Sequence, residues 1–381
     1  MNNQRPRPRI ASGIIVLALA VCLAGCGKTI ENPNSPKANA ERKPDYGQLA
    51  PSLNVLTRRG LIDPAVLGAF EQQYGVHVNL TFFETIEAAL HALDRQGQYD
   101  VALGSSALVA TLLLRHALAP LDHSTLTNLD KTEPVFKAIP IDPEQRFQAP
   151  YLWRTIGIGY NVSFETEIPL SWKMVLEPDT LPPEQQAELR GHITMFNEGR
   201  YVIGSALVHL GFSPNTADPT QIDRAVALLQ RQRPFVFAYD DSNAEKYLAK
   251  GDSFLDQAWS SDIARARKAN PKVRFSVPKE GAIVFVDRLV ILAGTSKMTT
   301  AERLIDYLLS PPVAAKNSNF SCAASVDRAA RPFIDRELLN GPAYELPDSE
   351  NKLFFLQELD APTAARYEKG WQEIKGASPS P

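Results

Sequence analysis

Cysteine is scarce in this chain of 381 residues, with three, at positions 22, 26 and 322. The first two belong to an amino-terminal targeting pattern, so Cys322 is left as the ordinary thiol and an intramolecular disulfide is excluded. The six histidines show no metal-ligand spacing, and HExxH, CxxC, the P-loop and GxSxG are all missing. The run Ile156-Gly157-Ile158-Gly159 lies inside a strand-like segment and is no phosphate loop. Positive charge is not in excess: the net charge is −3, which argues against a nucleic-acid partner. With catalysis unsupported by any motif, no reaction, cofactor or metal is expected. No internal repeat is visible.

Long apolar runs are also missing; the stretch from Ile14 to Leu23 is too short to span a bilayer. Arg5, Arg7 and Arg9 precede it and Leu23-Ala24-Gly25-Cys26 comes directly after. Residues 1–25 therefore read as a secretory signal peptide. Cys26, directly after the small residues, resembles the lipobox cysteine of bacterial lipoproteins, which becomes the lipidated first residue. An ordinary signal peptide with a chance cysteine is the alternative. A lipid there would hold the protein at the extracytoplasmic face of a bacterial membrane without spanning it. Residues 26–48 are polar, with Pro33, Pro36 and Pro44, and read as a flexible tether. Removing residues 1–25, with three Arg and no acid, leaves a charge of about −6.

Beyond the tether, strand and helix signals alternate along the chain. "LNVL", "VHVNLTFF" and "YDVALGS" read as strands. "DPAVLGAFEQQYG" reads as a helix with Asp63 as N-cap, Pro64 in the first turn and Gly75 as stop. "SALVATLLLRHALAPL" reads as an apolar core helix. This βαβαβ pattern implies a mainly parallel sheet covered by helices. "RTIGIGYNVS" is a strand whose Gly157 and Gly159 let another backbone pass closely. A second αβ unit comes next, and residues 350–375 read as amphipathic helices.

One strand poses a question. In "GAIVFVDRLVILAG", residues 281–294, nearly every residue is apolar, as in a strand buried on both faces, yet Asp287 sits in its middle. An ionised carboxylate in a dry core must be paired, neutralised or used. From the residues alone, a ligand contact and a local salt bridge to a neighbouring base are equally open.

Several stretches together carry a resemblance: "FEQQYGVHVNLTFFET", "QYDVALGSS", "APYLWRTIGIGYN", "LVHLGFSPNTADPTQIDRAVALL" and "VPKEGAIVFVDRLVI" occur in order. The chain resembles the periplasmic spermidine/putrescine-binding proteins of polyamine ABC transporters, from about Leu53 to Lys375. The resemblance implies a two-lobed α/β periplasmic-binding-protein clamp, type II-like, with the ligand cleft between the lobes and two crossover strands. The implied lobes are 49–157 with 286–320, and 158–285 with 321–376.

The resemblance also implies site residues. Asp287, two residues after the aromatic Phe285, falls where the family binds a ligand ammonium, which favours the ligand role over the salt bridge. Glu198 matches an acid before the second-lobe helix, Tyr201 stands where the family has another acid, and Trp259 keeps a tryptophan. Ser105 keeps a serine, Ala107 replaces a tyrosine, and Asp241 falls on a serine position. The first strand departs most, with an acid replaced by Arg58. A family tyrosine falls on Ser321 and a glutamine on Gln357. For Tyr201, Trp259 and Phe285 the alternative is core or interlobe packing. The expectation is a lipoprotein receptor for a small cationic or zwitterionic, polyamine-like ligand, closing by hinge motion. Its expected partner is an ABC permease, with a membrane sensor as the alternative. Arg58 holding a carboxylate of a zwitterion is a third possibility.

Overall fold

The computed structural model describes residues 48–94, 98–137, 142–164, 168–241, 243–346 and 352–376. The expected signal peptide, Cys26 and all but the last residue of the tether lie outside them.

The first helix, Pro64–Tyr74, forms as its caps dictate. Asp63 accepts a hydrogen bond from the Ala65 amide, and Gly75 ends the helix at φ 67°, where a side chain would be strained. On either side of it, β1 (Ser52–Thr57) and β2 (His77–Phe82) pair in parallel, and β3 (Val101–Ser105) joins the other edge of β1. The helix Met298–Leu309 packs Leu304, Ile305 and Leu308 onto this half, in one core with Val55, Leu103 and Phe70.

The second half contains β5 (Ile193–Met195), β6 (Val236–Tyr239) and β7 (Leu255–Trp259), parallel to one another. The helices Gly199–His209 and Pro219–Gln232 cover it, and Tyr367, Trp371 and Ile374 of the helix Ala361–Gly376 complete its core.

Two long antiparallel strands join the halves: β4 (Gln148–Asn161) and β9 (Ala282–Ile291). The outer part of β9 pairs with β3, and the outer part of β4 with β7 and β8 (Val273–Ser276). The order is β2-β1-β3-β9-β4-β7-β5-β6, with β10 (Ala324–Ser325) added on β4 and β11 (Leu353–Phe355) on β9. Parallel strands thus flank an antiparallel centre, giving a two-lobed clamp. Every residue of β4 is buried, and a Cβ at Gly157 would stand 2.6 Å from the Ser276 carbonyl oxygen. The close passage expected there is present.

Two elements differ from expectation. Residues 353–355, expected as helix, extend as β11 because Leu353, Phe354 and Phe355 pair with Ala282, Ile283 and Val284. The helix at Ser106–Leu114 is shorter than its apolar run, and Leu114 at its end is 63% exposed. Its Ala107, Ala110 and Leu114 line an open cavity instead of filling the core.

Candidate functional site

The carboxyl ends of the parallel strands converge between the two halves, and all but β2 deliver one expected residue each. This is the usual place for a ligand crevice in open α/β sheets. β1 leads into Arg58, β3 ends in Ser105, β5 runs toward Glu198, β6 toward Asp241, and β7 ends in Trp259. Contacts with backbone amides fix three of these, the first two as helix caps. Ser105 Oγ accepts from the Leu108 amide at 3.4 Å, Glu198 Oε1 from the Arg200 amide at 3.3 Å, and Asp241 Oδ1 from the Asn197 amide at 2.9 Å.

A cavity of about 650 Å³ opens here, bounded by Ser105, Ala107, Glu198, Tyr201, Phe285 and Gln357. Glu198 and Asp241 are exposed, and among the described residues neither has a basic group within 4 Å. The protein around the cleft nonetheless desolvates Glu198 and raises its carboxyl above the usual range, and repulsion from Asp241, Glu368 and Glu87 adds to this. Asp241 is raised too, by desolvation first and by Asp240 second. Such carboxylates are poised to receive cations.

Behind the cavity wall the aromatic rings touch. Trp259 and Phe285 meet edge to face at 4.7 Å between centroids, and Tyr201 stands edge-on to both, at 5.5 and 5.1 Å. Phe196 closes the group at 5.3 Å from Trp259. Tyr201 and Phe285 therefore belong both to the packing and to the cavity wall.

Asp287, expected as a ligand contact, has a base of the chain itself beside it. It is 2% exposed, and its Oδ2 lies 3.5 Å from Nη1 of Arg154, so the salt-bridge alternative is the observed arrangement. The physical reason is register: β4 places Arg154 opposite Phe285, on the face that Asp287 shares. The same guanidinium lies over the Trp259 ring, 5.0 Å from its centroid. Arg288, next in sequence, points to the other face. It donates from Nε to Ser106 Oγ at 2.9 Å and from Nη1 to Gln148 Oε1 at 2.5 Å, and burial lowers its pKa to about 10.

Arg58 lies at the same end as Arg154. Burial lowers its pKa first and the charge of Arg154 second, while Asp287 and Tyr201 oppose the shift. Ser321 is not brought to the site: buried at the end of the helix Pro311–Ser321, it accepts from the Ala323 amide at 3.1 Å. Gln357 does line the cavity. The residue missed by sequence reasoning is Arg154. Its signal was the one that singled out Asp287, a charge inside an otherwise apolar strand.

Residues 65–326 match the family described as bacterial extracellular solute-binding proteins. A putrescine/cadaverine-binding protein of Pseudomonas aeruginosa is 29% identical over 81% of this chain and 89% of its own length. The spermidine/putrescine-binding periplasmic protein of Escherichia coli is 28% identical over 82% and 88%. Among solved structures, the spermidine/putrescine ABC transporter substrate-binding protein PotD of Streptococcus pneumoniae superposes with a TM-score of 0.79 at 24% identity, over 86% of this chain and 99% of that one. The TpPotD lipoprotein of Treponema pallidum gives 0.73 at 20% identity, over 85% and 99%.

Proposed function

The chain belongs to the bacterial extracellular solute-binding proteins, and from that premise we propose that it is the receptor of an ABC importer for a polyamine or a related small amine, anchored by a lipid on Cys26. The observation that carries this reading is the cavity between the lobes, lined by the rings of Tyr201 and Phe285 and by the Glu198 carboxylate, which has no basic group within 4 Å among the described residues. Carboxylates pair with ammoniums, and aromatic faces cover methylenes and attract cations. Ser105 and Gln357 complete the ammonium end, Asp241 adds its charge from beyond the lining, beside Asn197, and Trp259 holds the wall behind it. Relatives named for putrescine, cadaverine and spermidine support the same ligand class. Their names, those of binding proteins and one transporter component, do not favour the membrane-sensor alternative.

Closure is a hinge motion along β4 and β9, two of the three chain connections between lobes 49–157 with 286–320 and 158–285 with 321–376. The closed form is what a permease would recognise. The lipid anchor is supported by the Leu-Ala-Gly-Cys run and by a structural neighbour that is itself called a lipoprotein.

Thermal unfolding of the full-length protein in detergent, with putrescine, cadaverine, spermidine and amines carrying an acid group, tests the reading. A true ligand at 100 times its Kd adds about 2.7 kcal/mol of stability. No shift with any amine would overturn it.

A further inference from the structure

The Asp287 carboxylate and the Trp259 face are the partners a ligand ammonium would take, and the chain sets its own cation on both. Arg154 is paired with Asp287 at 3.5 Å and lies over Trp259 at 5.0 Å. Its side chain is 10% exposed, and its Nε is buried with no hydrogen-bond partner. Arg58 adds a second guanidinium without a carboxylate within 4 Å among the described residues. The neighbouring acid, Asp262, is already engaged by Arg265 at 3.2 Å. Arg154 takes the carboxylate of Asp287 and Arg58, among the described residues, has none within 4 Å, so positive charge is left to be balanced here.

The other end has the opposite sign, with the exposed carboxylates of Glu198 and Asp241. Tyr201 feels both: burial first, then Glu198 and Asp241, raise the pKa of its hydroxyl, and Arg154 and Arg58 lower it. An all-cationic chain laid along this wall is attracted at one end and repelled at the other. A molecule with an ammonium and a carboxylate complements both.

We propose, resting on the small-amine reading above, that Arg58 and Arg154 form an anion subsite, so that the solute is an acid-bearing amine. Asp287 then acts through Arg154: it positions the guanidinium and does not touch the ligand.

Calorimetry of the full-length protein in detergent tests this with putrescine, 4-aminobutanoate, ornithine and acetate, on the wild type, Arg58→Ala and Arg154→Lys. One of the acid-bearing amines should bind the wild type at least about tenfold more tightly than putrescine, and Arg58→Ala should remove at least about tenfold of that affinity. Putrescine binding as tightly as either, unaffected by Arg58→Ala, overturns the anion subsite and leaves the small-amine receptor standing. Acetate binding that is lost in Arg58→Ala, with no amine bound, keeps the subsite and overturns the amine reading. Silence with every probe overturns both. The wild-type preference decides alone if a variant fails to fold.

Discussion

Arg154 and Asp287 meet diagonally across the two crossover strands, Nη1 3.5 Å from Oδ2, at 10% and 2% side-chain exposure. A pair this buried gains little over an apolar pair, yet removing one member strands the other's charge in the core. The two strands that join the lobes are therefore locked together by an ion pair at the cleft itself.

Asp287→Asn should lower the free energy of unfolding by about 3–5 kcal/mol, the usual cost of stranding one buried charge. Arg154→Met in the same background should recover most of that loss, and the coupling is read from a double-mutant cycle in urea. Unchanged stability in Asp287→Asn would show that the pair does not bear on the fold.

Glu198 sets a pH limit on amine binding. Its pKa is raised by desolvation, and the ammonium needs the ionised form, so affinity should be full above the raised value and fall as pH drops through it. The unliganded protein has the opposite sign: a raised folded-state pKa stabilises on the acid side and that contribution is lost as pH rises. Calorimetry from about pH 4 to about pH 8 checks this. Glu198→Gln should flatten the binding profile; an unaltered profile would remove Glu198 from the site.

His209 supplies a second pH dependence, away from the cavity. Burial alone would lower its pKa, but the hydrogen bond and charge of Glu280, at 3.3 Å, and of Glu177, at 3.5 Å, outweigh it and hold the imidazolium above its usual value. The stabilisation is fully present below the unfolded-state value of about 6.5 and lost as pH rises through the higher folded-state value. Thermal unfolding across that window should show a decline in the wild type that His209→Gln lacks.

Cys26→Ser should abolish fatty-acid labelling and shift the protein from the membrane to the soluble fraction, because its acyl chains are the proposed anchor. Labelling that persists in the variant would refute the lipid assignment.

Local structure and family were legible in the chain alone. The Asp63 cap, the Gly75 stop and the tight passage at Gly157 are consequences of side-chain chemistry within a few residues, or of a missing side chain. The order of strand and helix signals was enough for a mainly parallel sheet covered by helices, and the family resemblance added the two-lobed clamp. The resemblance also picked out Ser105, Glu198, Asp241 and Trp259, and each lies at or just beyond the carboxyl end of a parallel strand. Partnership, by contrast, was settled only in three dimensions. Residues 353–355 became a strand because β9 offered an unpaired edge, and the apolar helix at 106–114 turned one face to a cavity because its neighbours left that face open. Asp287 called for a partner, but a strand's own sequence does not say what faces it. The register of β4 against β9 put Arg154 there, and the folding of β7 beside β4 laid Trp259 beneath it. A buried charge announces itself in sequence, whereas the charge that answers it is chosen by strand pairing over long separations.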